Sequence, residues 1–390
     1  MIVFDNITIY ICTALVLLAA VTPLLNPFFR GRKLQTERTS EPATDGQEDN
    51  TQQLPKVSII LTPHENAPEL EANLPLLLNQ QYSNDYKVIV VAWKSDSETE
   101  DVLKRFLGHQ RLYTTFIPDS SRYMSRKKLA ITLGAKASKY EWLLFTDIEC
   151  KPQGDQWLAT MARNCTTDKD LVIGYTRYDD ETPAYRRFER LHTSYYLMRE
   201  DLKGTAYRTN SNNLMLRKSI FMEQEGFRGN LKYLRGEYDF LVNKFAGKDN
   251  TALEIHPDAW LTEQAPTDKS WRNKHLFYRE NRLHMKRSAM HRFLFNLDQW
   301  AMHLTYLSIL AAIIFSIITQ RWIITGVAVI SLLAVTIIRS IIGQKAMSRF
   351  NEDIGKMSIV PYELSIVWHQ LSYWMKYKRA DKYDFISHKL

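Results

Sequence analysis

Trp142-Leu143-Leu144-Phe145-Thr146-Asp147-Ile148-Glu149-Cys150 is an apolar run that passes straight into two acidic residues spaced i, i+2. Side chains two apart on an extended chain point to one side, so Asp147 and Glu149 leave the strand with their carboxyl groups together. Such a pair can hold a hard divalent cation through oxygen. Mg2+ or Mn2+ keeps several waters, can bridge to phosphate oxygens and neutralises the charge that develops on a leaving diphosphate. Two solvated loop carboxylates are the competing reading of the same spacing.

Upstream, the apolar run has three counterparts. Val57-Ser58-Ile59-Ile60-Leu61 ends at Thr62-Pro63 and reads as a buried strand entering a loop. Residues 87–93 read as a second buried strand, and 112–117 alternate as a third. Between them, 68–81 (Leu70, Leu74, Leu77, Leu78), 98–107 and 125–138 have helical spacing. Strand and helix alternating at short intervals predict right-handed crossovers and an α/β fold: a mainly parallel sheet with helices on both faces. Ligands in such sheets bind beyond the carboxyl ends of the strands, which is where Asp147 and Glu149 fall.

Outward from this domain the chain turns apolar. Residues 7–29 carry no charge and are long enough to cross a hydrocarbon core. No basic residue precedes them and no A-x-A site follows, so a cleaved signal peptide fits poorly. Arg30, Arg32 and Lys33 come next, which predicts an external N-terminus and a cytoplasmic continuation. A second apolar region, 302–342, breaks only at Thr319-Gln320-Arg321, as a helical hairpin would. Both its flanks are basic (Lys286, Arg287, Arg292; Lys345, Arg349) and belong on the same cytoplasmic side. Arg339, near the end of the last span, is expected to snorkel to the headgroups. The expected organisation is a transmembrane helix in 1–29, a polar flexible linker in 30–55, a catalytic domain in 56–290, a transmembrane hairpin in 302–343 and a cytoplasmic tail in 344–390. In the tail, 360–379 place Trp368, Tyr373, Trp374, Lys376, Lys378 and Arg379 at helical spacing. That pattern suits a helix lying in the membrane interface or one packed on the catalytic domain.

Composition narrows the chemistry. Of the 390 residues 45% are hydrophobic and 24% charged, which excludes wholesale disorder. Cys12, Cys150 and Cys165 have no metal-type or disulfide-framework spacing, which points to a reducing compartment. The net charge of +8 suits lipid headgroups, phosphorylated substrates or nucleic acid. The positive residues cluster beside the spans rather than on an aromatic sheet face, so nucleic acid is not expected as a partner. No G-x-S-x-G, Walker A or G-x-G-x-x-G motif supports a hydrolase, P-loop or dinucleotide reading.

The order of these features resembles the family 2 glycosyltransferases, which share a GT-A type fold, and within them the bacterial membrane-anchored members. Val57-Ser58-Ile59-Ile60-Leu61-Thr62-Pro63 is similar to the family's opening strand, and Lys87-Val88-Ile89-Val90-Val91 to its second. Arg126-Lys127-Lys128-Leu129-Ala130 resembles the basic helix start before the metal strand. Asp147-Ile148-Glu149 stands where the family has D-x-D, and Gly236-Glu237-Tyr238-Asp239-Phe240 resembles its G/T-E-D region with a tyrosine interposed. Arg279-Glu280-Asn281-Arg282 matches the first four places of Q/R-x-x-R-W, with Leu283 in place of the tryptophan. Together the similarity covers about residues 56–287.

The resemblance implies a GT-A type, Rossmann-like domain plus three transmembrane helices, acting on a nucleotide-sugar donor with Mg2+ or Mn2+. Pro63 would border the nucleoside. The family's acid after the second strand is replaced by Ala92-Trp93, and Asp96 is the nearest acid for donor binding. Lys127 or Lys128 would meet donor phosphate beside Asp147. Asp147 and Glu149 would hold the metal, and Arg279 and Arg282 would close over the diphosphate or, alternatively, touch anionic lipid. Glu237 and Asp239 compete for the role of general base. The implied reaction is an inverting transfer to a lipid-linked or polysaccharide acceptor at the inner face of the membrane. A non-catalytic membrane scaffold on the same fold is the alternative.

Overall fold

The computed structural model describes residues 5–30, 53–119, 125–287 and 289–386. Most of the expected linker, residues 31–52, lies outside the described residues, as do Arg32 and Lys33 within it. In chain order the elements are α1 (Asn6–Leu25), β1 (Val57–Leu61), α2 (Ala67–Leu78), β2 (Tyr86–Trp93), α3 (Ser97–Arg105), β3 (Leu112–Ile117), α4 (Arg126–Ala137) and β4 (Trp142–Phe145). Then come β5 (Cys150–Pro152), α5 (Trp157–Ala162), β6 (Leu171–Gly174), β7 (Thr176–Tyr178), α6 (Ala184–Asp201), β8 (Leu214–Arg217), α7 (Lys218–Glu223) and α8 (Glu237–Phe245). The chain ends with β9 (Thr251–Glu254), β10 (Leu261–Glu263), α9 (Asp268–Asn281), α10 (Ala289–Ile318), α11 (Trp322–Arg349) and α12 (Lys356–Arg379).

These elements form an α/β unit (Leu34–Pro183, Leu197–Lys286, Tyr373–Leu390) and a helical unit (Met1–Lys33, Ala184–Tyr196, Arg287–Ser372). The α/β unit is built on a seven-stranded sheet of order β3-β2-β1-β4-β8-β6-β9. All neighbours are parallel except β8, which runs antiparallel to β4 and to β6. Both faces are covered, as near-continuous apolar strands require. Val57, Ile59, Leu61, Val88, Val90 and Leu144 pack with Leu70, Leu74 and Leu77 of α2 and Val102 of α3. Ile60, Ile89, Val91, Leu143 and Phe145 pack with Ile131 of α4 and Leu241 and Val242 of α8. Gly134 lets α4 lie close to the sheet: a Cβ there would fall 2.6 Å from Ile60 Cγ2. A second, three-stranded sheet, β5-β10-β7, is an addition to the expected architecture.

Among the described residues the helical unit contains three helices long and apolar enough to cross a membrane: Asn6–Leu25, Asn296–Ile318 and Trp322–Arg349. Asp5, at the start of α1, pairs with Arg321 at 2.6 Å, so the N-terminal end of α1 and the hairpin turn share one end of this unit. Arg339 corrects the expectation of snorkelling. It is fully buried, bonded to Glu363 of α12 (2.8 Å), to Asp298 of α10 (3.0 Å) and weakly to the Thr22 carbonyl of α1 (3.4 Å). Two buried carboxylates within the unit pair with this guanidinium and compensate its charge where it is buried. The last turns of α12 belong to the α/β unit, where Tyr373 accepts a hydrogen bond from Trp271 Nε1 at 2.8 Å and Tyr377 packs with Phe277 and Phe385.

Candidate active site

β1 and β2 deliver adjacent loops at the carboxyl edge of the sheet. Pro63 is buried at the exit of β1, and Glu65 two residues on sits at φ 58°. The Glu65 backbone N–H donates to Asp96 Oδ2 at 2.8 Å, which ties the two loops together. Asp96 also caps α3, accepting from the Thr99 N–H (3.1 Å) and hydroxyl (2.8 Å). Burial alone would raise this carboxyl, but the Glu65 and Thr99 donors and the His64 ring hold it below its usual range. Trp93, only 5% exposed, closes the end of β2, and the Arg126 guanidinium lies 5.1 Å from its ring centre and 3.1 Å from His64 Nε2.

The next loop, after β4, carries the acidic pair. Asp147 Oδ1 accepts a hydrogen bond from the Tyr238 hydroxyl (2.6 Å) and is paired with Lys127 Nζ (2.7 Å). Glu149 Oε1 accepts from Asn66 Nδ2 at 3.0 Å. Burial pushes the Glu149 carboxyl up, Asp147 and Glu263 add to the rise, and Lys127 opposes it. Burial would lower the Lys127 ammonium, yet Asp147, Glu237 and Glu149 together raise it above the usual lysine value. Three carboxylates therefore act on one ammonium. Glu263, opposite Cys150 in the β5–β10 ladder, is a fourth acid at the rim; it accepts from Asn212 Nδ2 at 3.2 Å.

Glu237 is delivered by a backbone device. Gly236 sits at φ 85°, and a Cβ on it would fall 2.3 Å from Asn281 Nδ2, so only glycine makes this turn into α8. Glu237 follows as the first helical residue, 7% exposed, with Oε1 lacking a hydrogen-bond partner among the described residues. Asp239, its rival, is engaged: Oδ1 accepts from the Thr209 N–H (3.2 Å) and Oδ2 lies 3.8 Å from Arg208. Burial raises the Asp239 carboxyl, against the pull of Arg208 and the Thr209 donor.

The two lysines of the α4 start part company. Lys127 faces the acids, whereas Lys128 is 0% exposed and donates to the carbonyls of Asn230 (2.8 Å) and Tyr233 (2.6 Å). Burial pushes the Lys128 ammonium down to about 8, with Glu237 opposing. On α9, Arg279 is half-buried and Arg282 exposed at the helix end; burial and the neighbouring Arg282 lower the Arg279 guanidinium. Lys274 of the same helix donates to the Tyr178 hydroxyl at 2.8 Å and stands 3.9 Å from Glu263. Asn213 is structural: its amide donates to the Ala259 carbonyl at 2.7 Å and accepts from Trp157 Nε1 at 3.3 Å. Sequence reasoning missed Asn66 and Glu263, and it treated Tyr238 only as an interruption.

Among the described residues no three His, Cys, Asp or Glu side chains converge as a closed metal cage. Two hard carboxylates that leave positions to phosphate and water suit Mg2+ or Mn2+, which dehydrate reluctantly. Residues 58–222 match the profile of Glycosyl transferase family 2. The chain carries a family 2 glycosyltransferase domain. This glycosyltransferase segment holds Pro63, Asp96, Lys127, Lys128, Asp147 and Glu149, and ends before Glu237. Among solved structures the chain is similar to a mannosyltransferase from Pyrobaculum calidifontis, solved with GDP-mannose and Mn2+, at a TM-score of 0.52 and 16% identity. The similarity spans 89% of this chain and 99% of that one, and identifies a GT-A type fold. No curated protein sequence matches this glycosyltransferase.

Proposed function

We propose that this glycosyltransferase moves a sugar from a nucleotide-sugar donor to a hydroxyl of a lipid-linked or polysaccharide acceptor at the inner face of a membrane, with inversion. The observation that carries the reading is the grouping of Asp147, Glu149, Lys127 and Glu237, whose Oε1 has no hydrogen-bond partner among the described residues, at the carboxyl edge of a mainly parallel sheet. Mg2+ or Mn2+ held by Asp147 and Glu149 would supply electrophilic stabilisation of the leaving diphosphate.

The chain's own residues divide the remaining work. Pro63, Asp96 and the exposed Arg126 guanidinium over Trp93 form a rim suited to the nucleoside, the Trp93 ring itself being too buried to serve as an open stacking platform. Lys127 is placed to neutralise phosphate oxygens, with Arg279 and Arg282 as further cations on α9. The acceptor oxygen attacks the anomeric carbon on the face opposite the diphosphate. The new C–O bond forms as the bond to the diphosphate breaks, and Glu237 takes the acceptor proton, so one displacement inverts the centre. A carboxyl oxygen with no hydrogen-bond partner among the described residues, at a helix start, is available for that step, whereas Asp239 is occupied by Arg208 and Thr209. Three apolar helices support membrane attachment.

The test is a thermal-shift screen of nucleotide sugars, including GDP-mannose and UDP-glucose, with and without Mn2+, followed by nucleoside diphosphate release. Stabilisation by a donor that needs Mn2+ and is lost in Asp147→Ala supports the reading, because a ligand of the folded state raises its melting temperature. Donor binding indifferent to Mn2+ and to that substitution contradicts it.

A further inference from the structure

Asp147 offers one oxygen, Oδ1, to two donors of different kind. The Tyr238 hydroxyl reaches it at 2.6 Å from α8, and the Lys127 ammonium at 2.7 Å from α4. Tyr238 is a rigid, buried side chain, 7% exposed, on the residue that separates Glu237 from Asp239. Its hydroxyl is the donor in that contact and the Asp147 carboxylate oxygen the acceptor. Lys127 brings a full charge on a flexible stem and lies 5.3 Å from the Tyr238 ring. A hydrogen bond from a neutral group fixes the rotation of a ligand carboxylate and leaves its charge available. An ammonium on the same oxygen spends that charge and repels a second cation.

We propose that Tyr238 is a positioning residue for the divalent cation and that Lys127 is the resident counter-ion this cation must displace, so that the two partners of Asp147 Oδ1 act on metal affinity with opposite sign. The inference rests on the reading of Asp147 and Glu149 as cation ligands. It adds that metal and donor bind cooperatively: a diphosphate entering the site takes up the Lys127 ammonium and frees Asp147. Coupling of this kind is reciprocal, so metal must tighten nucleotide by the same factor. It also assigns a purpose to the interposed tyrosine, which links the helix start that delivers Glu237 to the loop that delivers Asp147.

The experiment titrates Mn2+ into the full chain in detergent, with free Mn2+ read by electron paramagnetic resonance, in the absence and presence of GDP or UDP. Tyr238→Phe keeps the ring and removes the hydroxyl. It is expected to weaken Mn2+ binding about tenfold or more, the usual effect of removing an outer-shell partner, with the melting temperature little changed. Lys127→Met is expected to tighten Mn2+ in the absence of nucleotide and to abolish most of the gain that nucleotide gives the wild type. Unchanged Mn2+ affinity in Tyr238→Phe, or weaker binding of Mn2+ alone in Lys127→Met, overturns the inference while leaving the metal reading intact. A wild type that binds no Mn2+ with either nucleotide overturns both. Should Tyr238→Phe fail to fold, the Lys127→Met titration decides.

Discussion

Replacing Glu237 and Asp239 one at a time separates the base from the residue that merely stands near it. Glu237→Gln keeps the shape and removes the proton acceptor. Loss of a positioned base typically costs about 10²–10⁴ in rate, which at 1.36 kcal/mol per decade is about 2.7–5.4 kcal/mol of barrier. The substitution also neutralises a 7% exposed carboxylate whose Oε1 has no hydrogen-bond partner among the described residues, and this gain offsets the lost attraction to Lys127 and Lys128, so only a small change in Tm is expected. Asp239→Asn has the converse signature. Its carboxylate stands 3.8 Å from the buried Arg208, which retains the Tyr278 ring 3.9 Å away, and the amide can still accept from Thr209. Breaking a buried pair from one side costs about 3–5 kcal/mol; with these residual contacts the lower end, about 3 kcal/mol, is expected. For a domain of this size that is a fall in Tm of about 6–12 °C. Nucleoside diphosphate release gives kcat and donor KM, and calorimetry gives Tm. A Glu237→Gln enzyme with near wild-type kcat, or an Asp239→Asn enzyme that loses kcat at unchanged Tm, refutes the assignment.

Three further outcomes follow from burial and charge. Because Glu149 titrates above the usual glutamate range, the stability of the metal-free protein falls as pH rises through that raised value, and Mn2+ should reverse the fall; chemical denaturation with Mn2+ or with a chelator across acid to neutral pH checks both signs. Lys128→Met orphans the carbonyls of Asn230 and Tyr233 and should cost about 1–3 kcal/mol of unfolding free energy, read by denaturant titration, with donor KM unchanged. In the wild type the unfolded chain keeps the Lys128 proton that the folded one has lost, so this residue makes stability rise as pH climbs past about 8. Arg339→Met leaves Asp298 and Glu363 buried without their guanidinium and should destabilise the protein in detergent by about 3–5 kcal/mol.

The strands that build the donor edge were legible because each is a short apolar run with an abrupt polar end. The expected strand at 112–117 coincides with β3, and the apolar run that begins at Trp142 contains β4, Trp142–Phe145. The break at Thr319-Gln320-Arg321 was equally plain, and the structure turns there with Gln320 at φ 53°. The β5-β10-β7 sheet was not legible, since three-residue strands such as Thr176–Tyr178 carry no periodicity. Side-chain destinations were harder still. Lys127 and Lys128 look alike in sequence, yet about 100° of helix rotation sends one to Asp147 and the other into a nest of carbonyls. Arg339 read as a snorkelling cation because its partners, Asp298 and Glu363, lie 41 and 24 residues away. Tyr238 interrupted a motif, and only the tertiary fold reveals that its hydroxyl ends on Asp147.

The central claim is that one divalent cation joins Asp147 and Glu149 to the donor diphosphate. Crystals of the full chain grown with Mn2+ and a nucleoside diphosphate, measured at the manganese absorption edge, test it most directly. The account predicts one anomalous peak in contact with both carboxylates and with a phosphate oxygen, and Lys127 moved off Asp147 towards the phosphate. A diphosphate bound with no peak there, or a peak that touches neither carboxylate, would contradict it.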